Sequence, residues 1–308
     1  MADAPPFKSG AVALIGRPNA GKSTLLNRIV GQKLAIVSDK PQTTRARVRG
    51  VKNYAAEGES PGGQIVFVDT PGVHKPTHRL NARMVNTALD AMRDVDVVGV
   101  VLDVSQKPGG GQQHLFGLLR PLKIPVIAIL NKIDLVRKPK LLPVIDRVSR
   151  EREFADIVPV SATTGDGVDM LEKAVLAQLP DGEPLYPEDY LTDQPERFFV
   201  AEMVREQVLQ HTHDELPFST AVLVDRIQAE ESGGLTQIYC TILVERESQK
   251  PIVVGKGGAM IKAIGTAARA GLERFLATRV FLDLHVKVKS EWRDNERLLD
   301  ELGLHRSS

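Results

Sequence analysis

Nine consecutive residues, Gly16-Arg17-Pro18-Asn19-Ala20-Gly21-Lys22-Ser23-Thr24, hold the densest chemistry in this 308-residue chain. They fit the spacing G-x-x-x-x-G-K-S between an apolar run at 11–15 and a helix-period segment carrying Leu25, Leu26, Ile29 and Val30. Glycines at both ends of such a loop let backbone N–H groups wrap a polyphosphate, and the helix start adds the positive end of its dipole. Lys22 would neutralise the outer phosphate oxygens, and the Ser23 hydroxyl suits Mg2+. A plain glycine turn is the alternative, and the strand-loop-helix setting argues against it.

Asp69-Thr70-Pro71-Gly72 ends the apolar run 65–68. Asp69 can face the metal through water there, while the Gly72 N–H approaches the terminal phosphate. Asn131-Lys132-Ile133-Asp134 follows the run 124–130, at the sheet edge where α/β proteins bind ligands. A carboxylate at Asp134 accepts hydrogen bonds from guanine N1–H and N2–H2; adenine offers neither and would leave the charge unpaired. Ser161-Ala162 follows the run 157–160 and could bring a backbone N–H to guanine O6. These signals, in this order and each at a strand end, point to GTP rather than ATP, with Mg2+.

The elements that must place these residues alternate apolar runs with helix-period segments as far as 179, which predicts an α/β domain with a mostly parallel sheet and helices on both faces. We expect that domain over 1–180, an acidic, proline-rich linker over 181–195 and a second domain over 196–308. The second domain reads as a helix at 198–210, strands at 219–228 and 235–245, a helix at 259–276 and a strand at 280–288. A short helix follows from Arg293, so the order begins α-β-β-α-β. A chain of this length is better divided between two cores than held by one. With 42% hydrophobic and 26% charged residues it falls outside the disordered class. The apolar runs are strand-length, so no membrane span is expected and a cytoplasmic monomer is. The lone cysteine, Cys240, lies among alternating apolar residues and reads as a small buried hydrophobe.

Net charge is only +1, yet 250–290 holds eight lysines and arginines against Glu273 and Asp283. Inside that strip lies Gly255-Lys256-Gly257-Gly258, followed by a helix whose Ile261, Ile264, Ala268 and Leu272 share a face. A G-x-x-G loop in an α-β-β-α-β setting can clamp the backbone of single-stranded RNA, with Lys256, Lys262 and Arg269 on the phosphates. The alternative is a tight turn beside a solvated basic face.

Taken with Pro41-Gln42-Thr43-Thr44-Arg45, the motifs resemble the translation-factor class of bacterial GTPases. More closely, the chain resembles the Era family from about 9 to 304, because 244–250, 255–258 and 286–290 resemble its KH domain. The resemblance implies a P-loop GTPase joined to an α+β type II KH domain. It also implies binding near the 3′ end of 16S rRNA and a role in assembly of the 30S subunit. Thr44, in the first switch segment, would join Ser23 and the water-linked Asp69 around Mg2+. Related GTPases with this loop asparagine hold K+, which suggests Asn19, with Ser38, Lys40 and Thr43 as lesser candidates. Val73 stands where Ras-like proteins have a water-orienting glutamine, so slow intrinsic turnover between the GTP and GDP states is expected.

Two readings of the second half compete: an RNA reader, and a module docking a protein or a membrane surface. The basic strip is also compatible with weak attachment to anionic lipid on the inner face of the cell membrane. Arg45, Arg47, Arg49 and Lys52 read as a solvated face rather than an RNA contact. The pairs His74/His78 and His211/His213 lack the further ligands that zinc would need.

Overall fold

Runs of valine, isoleucine and leucine without intervening charge must be covered on both faces, and a parallel sheet between helices does this. The computed structural model describes residues 6–40, 42–56, 61–73, 78–213, 216–230 and 234–304. In chain order the first half comprises β1 (Lys8–Gly16), α1 (Lys22–Val30), β2 (Val48–Tyr54), β3 (Gly63–Asp69), α2 (Arg79–Ala91), β4 (Val97–Asp103), α3 (Gly110–Leu119), β5 (Val126–Asn131), α4 (Leu141–Ser149), β6 (Asp156–Pro159) and α5 (Val168–Gln178). The second half comprises α6 (Glu196–His211), α7 (Leu216–Ser219), β7 (Ala221–Ala229), β8 (Leu235–Val244), α8 (Lys250–Val254), α9 (Ala259–Leu276), β9 (Arg279–Val288) and α10 (Glu296–Glu301).

Among the described residues the first six strands form one sheet, ordered β2-β3-β1-β4-β5-β6, with β2 antiparallel to β3 and the remaining pairs parallel. Alternate side chains of β1 feed two cores, Val12 and Leu14 into one and Ala13 and Ile15 into the other. The C-terminal ends of β1, β3 and β5 therefore open on one edge, where the phosphate loop, Asp69 and Asn131 stand. Strand β2 escaped the sequence reading because Arg49, Lys52 and Asn53 interrupt its apolar pattern.

The second half is a three-stranded sheet, β7-β8-β9, with β7 antiparallel and β9 parallel to β8. Helices α6 and α9 cover one face through Val200, Val204, Val208, Ile264, Ala268 and Leu272. Cys240 lies in this core, where burial pushes its thiol up to about 12, and it acts as a small apolar side chain. The glycine loop lies between the short helix α8, which the periodicity did not reveal, and α9.

Segment 181–195 is not slack. The Val51 N–H donates to the Leu191 carbonyl at 2.9 Å, Gln64 donates to the Tyr186 carbonyl at 2.8 Å, and Gln194 donates to the Arg47 carbonyl at 3.0 Å. Tyr186 stacks on Tyr190 with centroids 4.5 Å apart. A further core joins the two halves: Leu80 and Met84 of α2 pack with Ala221, Leu243, Trp292, Leu298, Leu299 and Leu304.

The expectation of a solvated face at 45–52 is overturned. Arg45 is 5% exposed, donates to the Thr220 carbonyl at 2.8 Å, and stacks 5.5 Å from the Trp292 ring centre. Arg47 faces Asp94 at 3.9 Å, Arg49 pairs with Asp193 at 2.7 Å, and Lys52 pairs with Glu172 at 2.6 Å. Arg49 thus fastens the linker and Arg45 the second half to the first, through a partner 175 residues away for Arg45, while Arg47 and Lys52 pair within the first half.

Candidate nucleotide site and its link to the glycine loop

The phosphate loop runs from the buried end of β1 into α1, with Gly21 (φ 94°) just before the helix. Lys22 is buried at the start of α1, and its Nζ lies 3.4 Å from the Gly16 carbonyl and 3.3 Å from that of Arg17. Burial pushes its pKa down and the Asp69 carboxylate pulls it back up, so this ammonium is poorly hydrated and suited to phosphate oxygens. Arg17 and Asn19 are exposed at the rim, Pro18 and Thr24 are half-buried, and Ala20 is buried beneath the loop. Gly72 crosses so close to the loop that a Cβ there would meet the Pro18 nitrogen at 2.7 Å; the approach requires glycine.

Ser23, Thr44 and Asp69 converge. Ser23 Oγ lies 2.6 Å from Asp69 Oδ2 and 2.7 Å from Thr44 Oγ1, and Thr44 Oγ1 lies 3.4 Å from the same carboxylate oxygen. Asp69 is fully buried, and its Oδ1 has no hydrogen-bond partner among the described residues. Burial pushes its pKa up against the opposing pull of Lys22, Ser23 and Thr44. An orphaned carboxylate oxygen among hydroxyls, with no soft ligand present, fits a small, hard cation such as Mg2+. The Thr70 hydroxyl donates to the Leu14 carbonyl at 2.8 Å and ties β3 to β1; Pro71 is buried beside it.

The base-selecting residues divide their labour. Asn131 is buried and acts as a strut, donating to the Ala20 carbonyl at 2.8 Å and accepting the Ala162 N–H at 3.0 Å. It thus joins the phosphate loop to the 161–162 segment. Ser161 donates to Asp134 at 2.7 Å, and Lys132 pairs with Asp103 at 2.6 Å. The sequence reading missed Asp103 and Arg28, whose Nε donates to the Ala162 carbonyl at 3.2 Å; neither belongs to a motif.

The Asn19 side chain donates to the Asp39 carbonyl, the Lys40 N–H meets Ser38 Oγ at 3.1 Å, and Thr43 donates to the Lys40 carbonyl at 2.5 Å. The four residues named for a monovalent ion are therefore neighbours. Gln42 takes φ 63° beside them, and Pro41, like His74, lies outside the described residues. Val73 is buried, and its N–H donates to the Gly16 carbonyl at 3.1 Å, so its side chain packs in the core and cannot orient water.

The glycine loop is a tight turn, Lys256–Gly258, in which Gly257 has φ 58° with open space around the position a Cβ would take. All eight basic residues of 250–290 are exposed, including Lys256, Lys262 and Arg269. One histidine of each pair finds another partner: His211 Nδ1 meets the Gln207 carbonyl at 2.8 Å, and His78 Nδ1 lies 3.4 Å from Asp294. No helix among the described residues is long and apolar enough to cross a membrane.

Comparison with known proteins adds to this geometry. Residues 11–132 match the family described as "50S ribosome-binding GTPase", and residues 220–293 match the KH domain family. The chain is 51% identical over 298 residues to GTPase Era of Geobacter metallireducens, covering 97% of this chain and 98% of that protein. It is 44% identical over 297 residues to GTPase Era of Heliobacterium modesticaldum, covering 96% and 97% respectively. Its structure is similar to that of an Aquifex aeolicus Era variant bound to GDP·AlF4− (TM-score 0.91, 40% identity, 97% of this chain and 99% of that one). It is also similar to a structure of Era in complex with MgGDPNP and nucleotides 1506–1542 of 16S ribosomal RNA (TM-score 0.93, 40% identity, with the same coverage).

Proposed function

The chain belongs to the Era family of GTPases, and from that premise we propose that it is a GTP-driven switch that reads single-stranded RNA at the 3′ end of 16S rRNA during assembly of the 30S subunit. The protein is a GTPase with Mg2+ as its cofactor. We assign the nucleotide to Gly16–Thr24, Asp69–Gly72, Asn131, Lys132, Asp134, Ser161 and Ala162, and the RNA backbone to 255–258 with Lys262 and Arg269. The division of the chain at 181–195 is part of the same reading.

Ser23, Thr44 and Asp69 would hold Mg2+, which when bound screens the charge on the transferring phosphoryl group. Lys22 adds a second, fixed charge on the outer phosphates, and the loop N–H groups orient them. Asp134 holds guanine, aimed by Ser161. With Val73 packed away, no side chain at that position orients the attacking water, which supports slow intrinsic turnover. K+ held by Asn19 with the 38–43 segment is the proposed accelerator.

The observation that carries the RNA reading is the exposed turn at Gly257, with Lys256, Lys262 and Arg269 all outward. Glycine with positive φ lets the main chain approach a phosphate without a Cβ in the way. The decisive measurement is the affinity of GTP-loaded protein for single-stranded RNA from the 3′ end of 16S rRNA, against a scrambled RNA and a Gly257→Asp variant. Sequence-preferring binding that weakens steeply with salt and is lost in the variant is expected. Indifference to both changes would overturn the reading.

A further inference from the structure

Thr44 carries the one hydroxyl of the first switch segment that reaches the metal cluster, and residues of the second half hold it from both sides. The peptide unit joining Thr43 to Thr44 is rigid and planar, so fixing the Thr43 carbonyl fixes the plane from which Thr44 departs. That carbonyl accepts a hydrogen bond from Arg205 of α6. Arg205 is 3% exposed, and Glu202, one turn earlier, aims it with two contacts of 2.7 Å. The next residue, Glu206, is 4% exposed and accepts the Val37 N–H at 3.1 Å, with Lys33 on its other oxygen. On the far side of Thr44, Arg45 is anchored by the carbonyls of Thr220 at 2.8 Å and Phe218 at 3.3 Å.

We propose that Arg205, aimed by Glu202 and supported by Glu206, is a positioning residue for GTP hydrolysis: it holds Thr44 at the Mg2+ cluster from within the KH half. This rests on the assignment of Ser23, Thr44 and Asp69 to Mg2+. It makes the first KH helix part of the hydrolytic machinery, although it touches neither nucleotide nor metal. A buried guanidinium with a fixed bidentate carboxylate has little freedom to spare, so the carbonyl it grips is held in one orientation. The residues assigned to GDP lie at 16–24, 131–134 and 161–162, and Arg205 hydrogen-bonds to Glu202 and the Thr43 carbonyl rather than to any of them. Loss of Arg205 therefore acts on the metal-bound GTP state and leaves GDP affinity alone.

The test is RNA-free, single-turnover hydrolysis by the full chain across a Mg2+ titration, with GDP affinity measured in parallel, for wild type, Arg205→Ala and Glu202→Gln. The expected result for Arg205→Ala is a rate lower by about tenfold, a higher half-saturating Mg2+ and unchanged GDP affinity. Glu202→Gln keeps Arg205 but releases its aim, and should shift the Mg2+ curve in the same direction by less. This second variant decides the matter if Arg205→Ala does not fold. Wild-type Mg2+ curves in folded variants would overturn the positioning role, as would GDP and GTP affinity falling together. Wild-type turnover indifferent to Mg2+ would instead remove the metal assignment itself.

Discussion

The Ser161 hydroxyl donates to Asp134 Oδ1 over 2.7 Å, which fixes the carboxylate while leaving its remaining lone pairs to accept from a base. The pair joins the loop after β5 to the loop after β6, so guanine selection depends on the register of two parallel strands.

Asp134→Asn turns one acceptor oxygen into a donor. Affinity for GTP should fall by about a hundredfold, since charge-assisted hydrogen bonds are worth roughly 1.5–3 kcal/mol each. Xanthosine triphosphate, which keeps N1–H but presents a carbonyl acceptor in place of the N2 amine, should gain. Competition between the two nucleotides, measured with wild type and variant, checks the exchange of preference.

Asp69 should make the Mg2+ requirement depend on pH. Its folded pKa is raised by burial, so with no cation bound its contribution favours the fold at acid pH and is lost as pH rises through the raised value. Mg2+ needs the ionised form and offsets that loss. The stabilisation produced by adding Mg2+ with a GTP analogue should be greater at pH 7.5 than at pH 5.5, as read by thermal unfolding. An equal shift at both values would count against Asp69 facing the metal.

Trp292, the single tryptophan of the chain, is fully buried, and its Nε1–H donates to the Ser219 carbonyl at 2.9 Å. Replacing it with phenylalanine removes that buried donor and should cost about 1–3 kcal/mol; replacement with alanine should cost about 3–5 kcal/mol. Because Trp292 shares a core with Leu80 and Met84 of α2, its emission reports whether the halves are docked. A red shift that precedes loss of helical circular dichroism on denaturation would mark separation of the halves before either unfolds.

Arg83 is 8% exposed and bridges α2 to Glu296, to Asp300 at 2.6 Å and to the Leu304 carbonyl. Arg83→Ala strips partners from two carboxylates that are themselves partly exposed, so the loss should be about 1–2 kcal/mol rather than that of a fully buried pair. Chemical denaturation at low and high salt measures it, and a cost unchanged by salt would argue for packing rather than charge.

Potassium should support hydrolysis better than sodium, through Asn19 and the 38–43 segment. Matched chloride salts at constant ionic strength test this, and equal rates would remove the monovalent site.

The candidate nucleotide site was legible in the sequence because its chemistry is local. A polyphosphate is wrapped by consecutive backbone N–H groups, so Gly16, Gly21, Lys22 and Ser23 must be close in the chain, and Asp134 must follow a strand end. The parallel sheet was legible for a similar reason, since β1, β4 and β5 are continuous apolar runs. Strand β2 was not, because its polar residues find partners in the linker and in α5, and periodicity cannot see a partner more than a hundred residues away. Asn131 shows the same limit within a motif: its type was evident, but its work as a strut to Ala20 and Ala162 appears only when the loops meet.

The sequence by itself therefore determined which phosphates, metal and base this protein can hold, and that a glycine loop stands in a basic strip. Only the tertiary structure decided that Arg45 leaves the surface for the KH half, and that Arg205 and Glu206 return to grip the switch segment. Those contacts join residues as far as 175 positions apart, and burying the core around Trp292 brings α2, the start of β7 and the end of β8 together beside them. Burial of that core carries no sequence motif, since any apolar residues of the right volume would serve it.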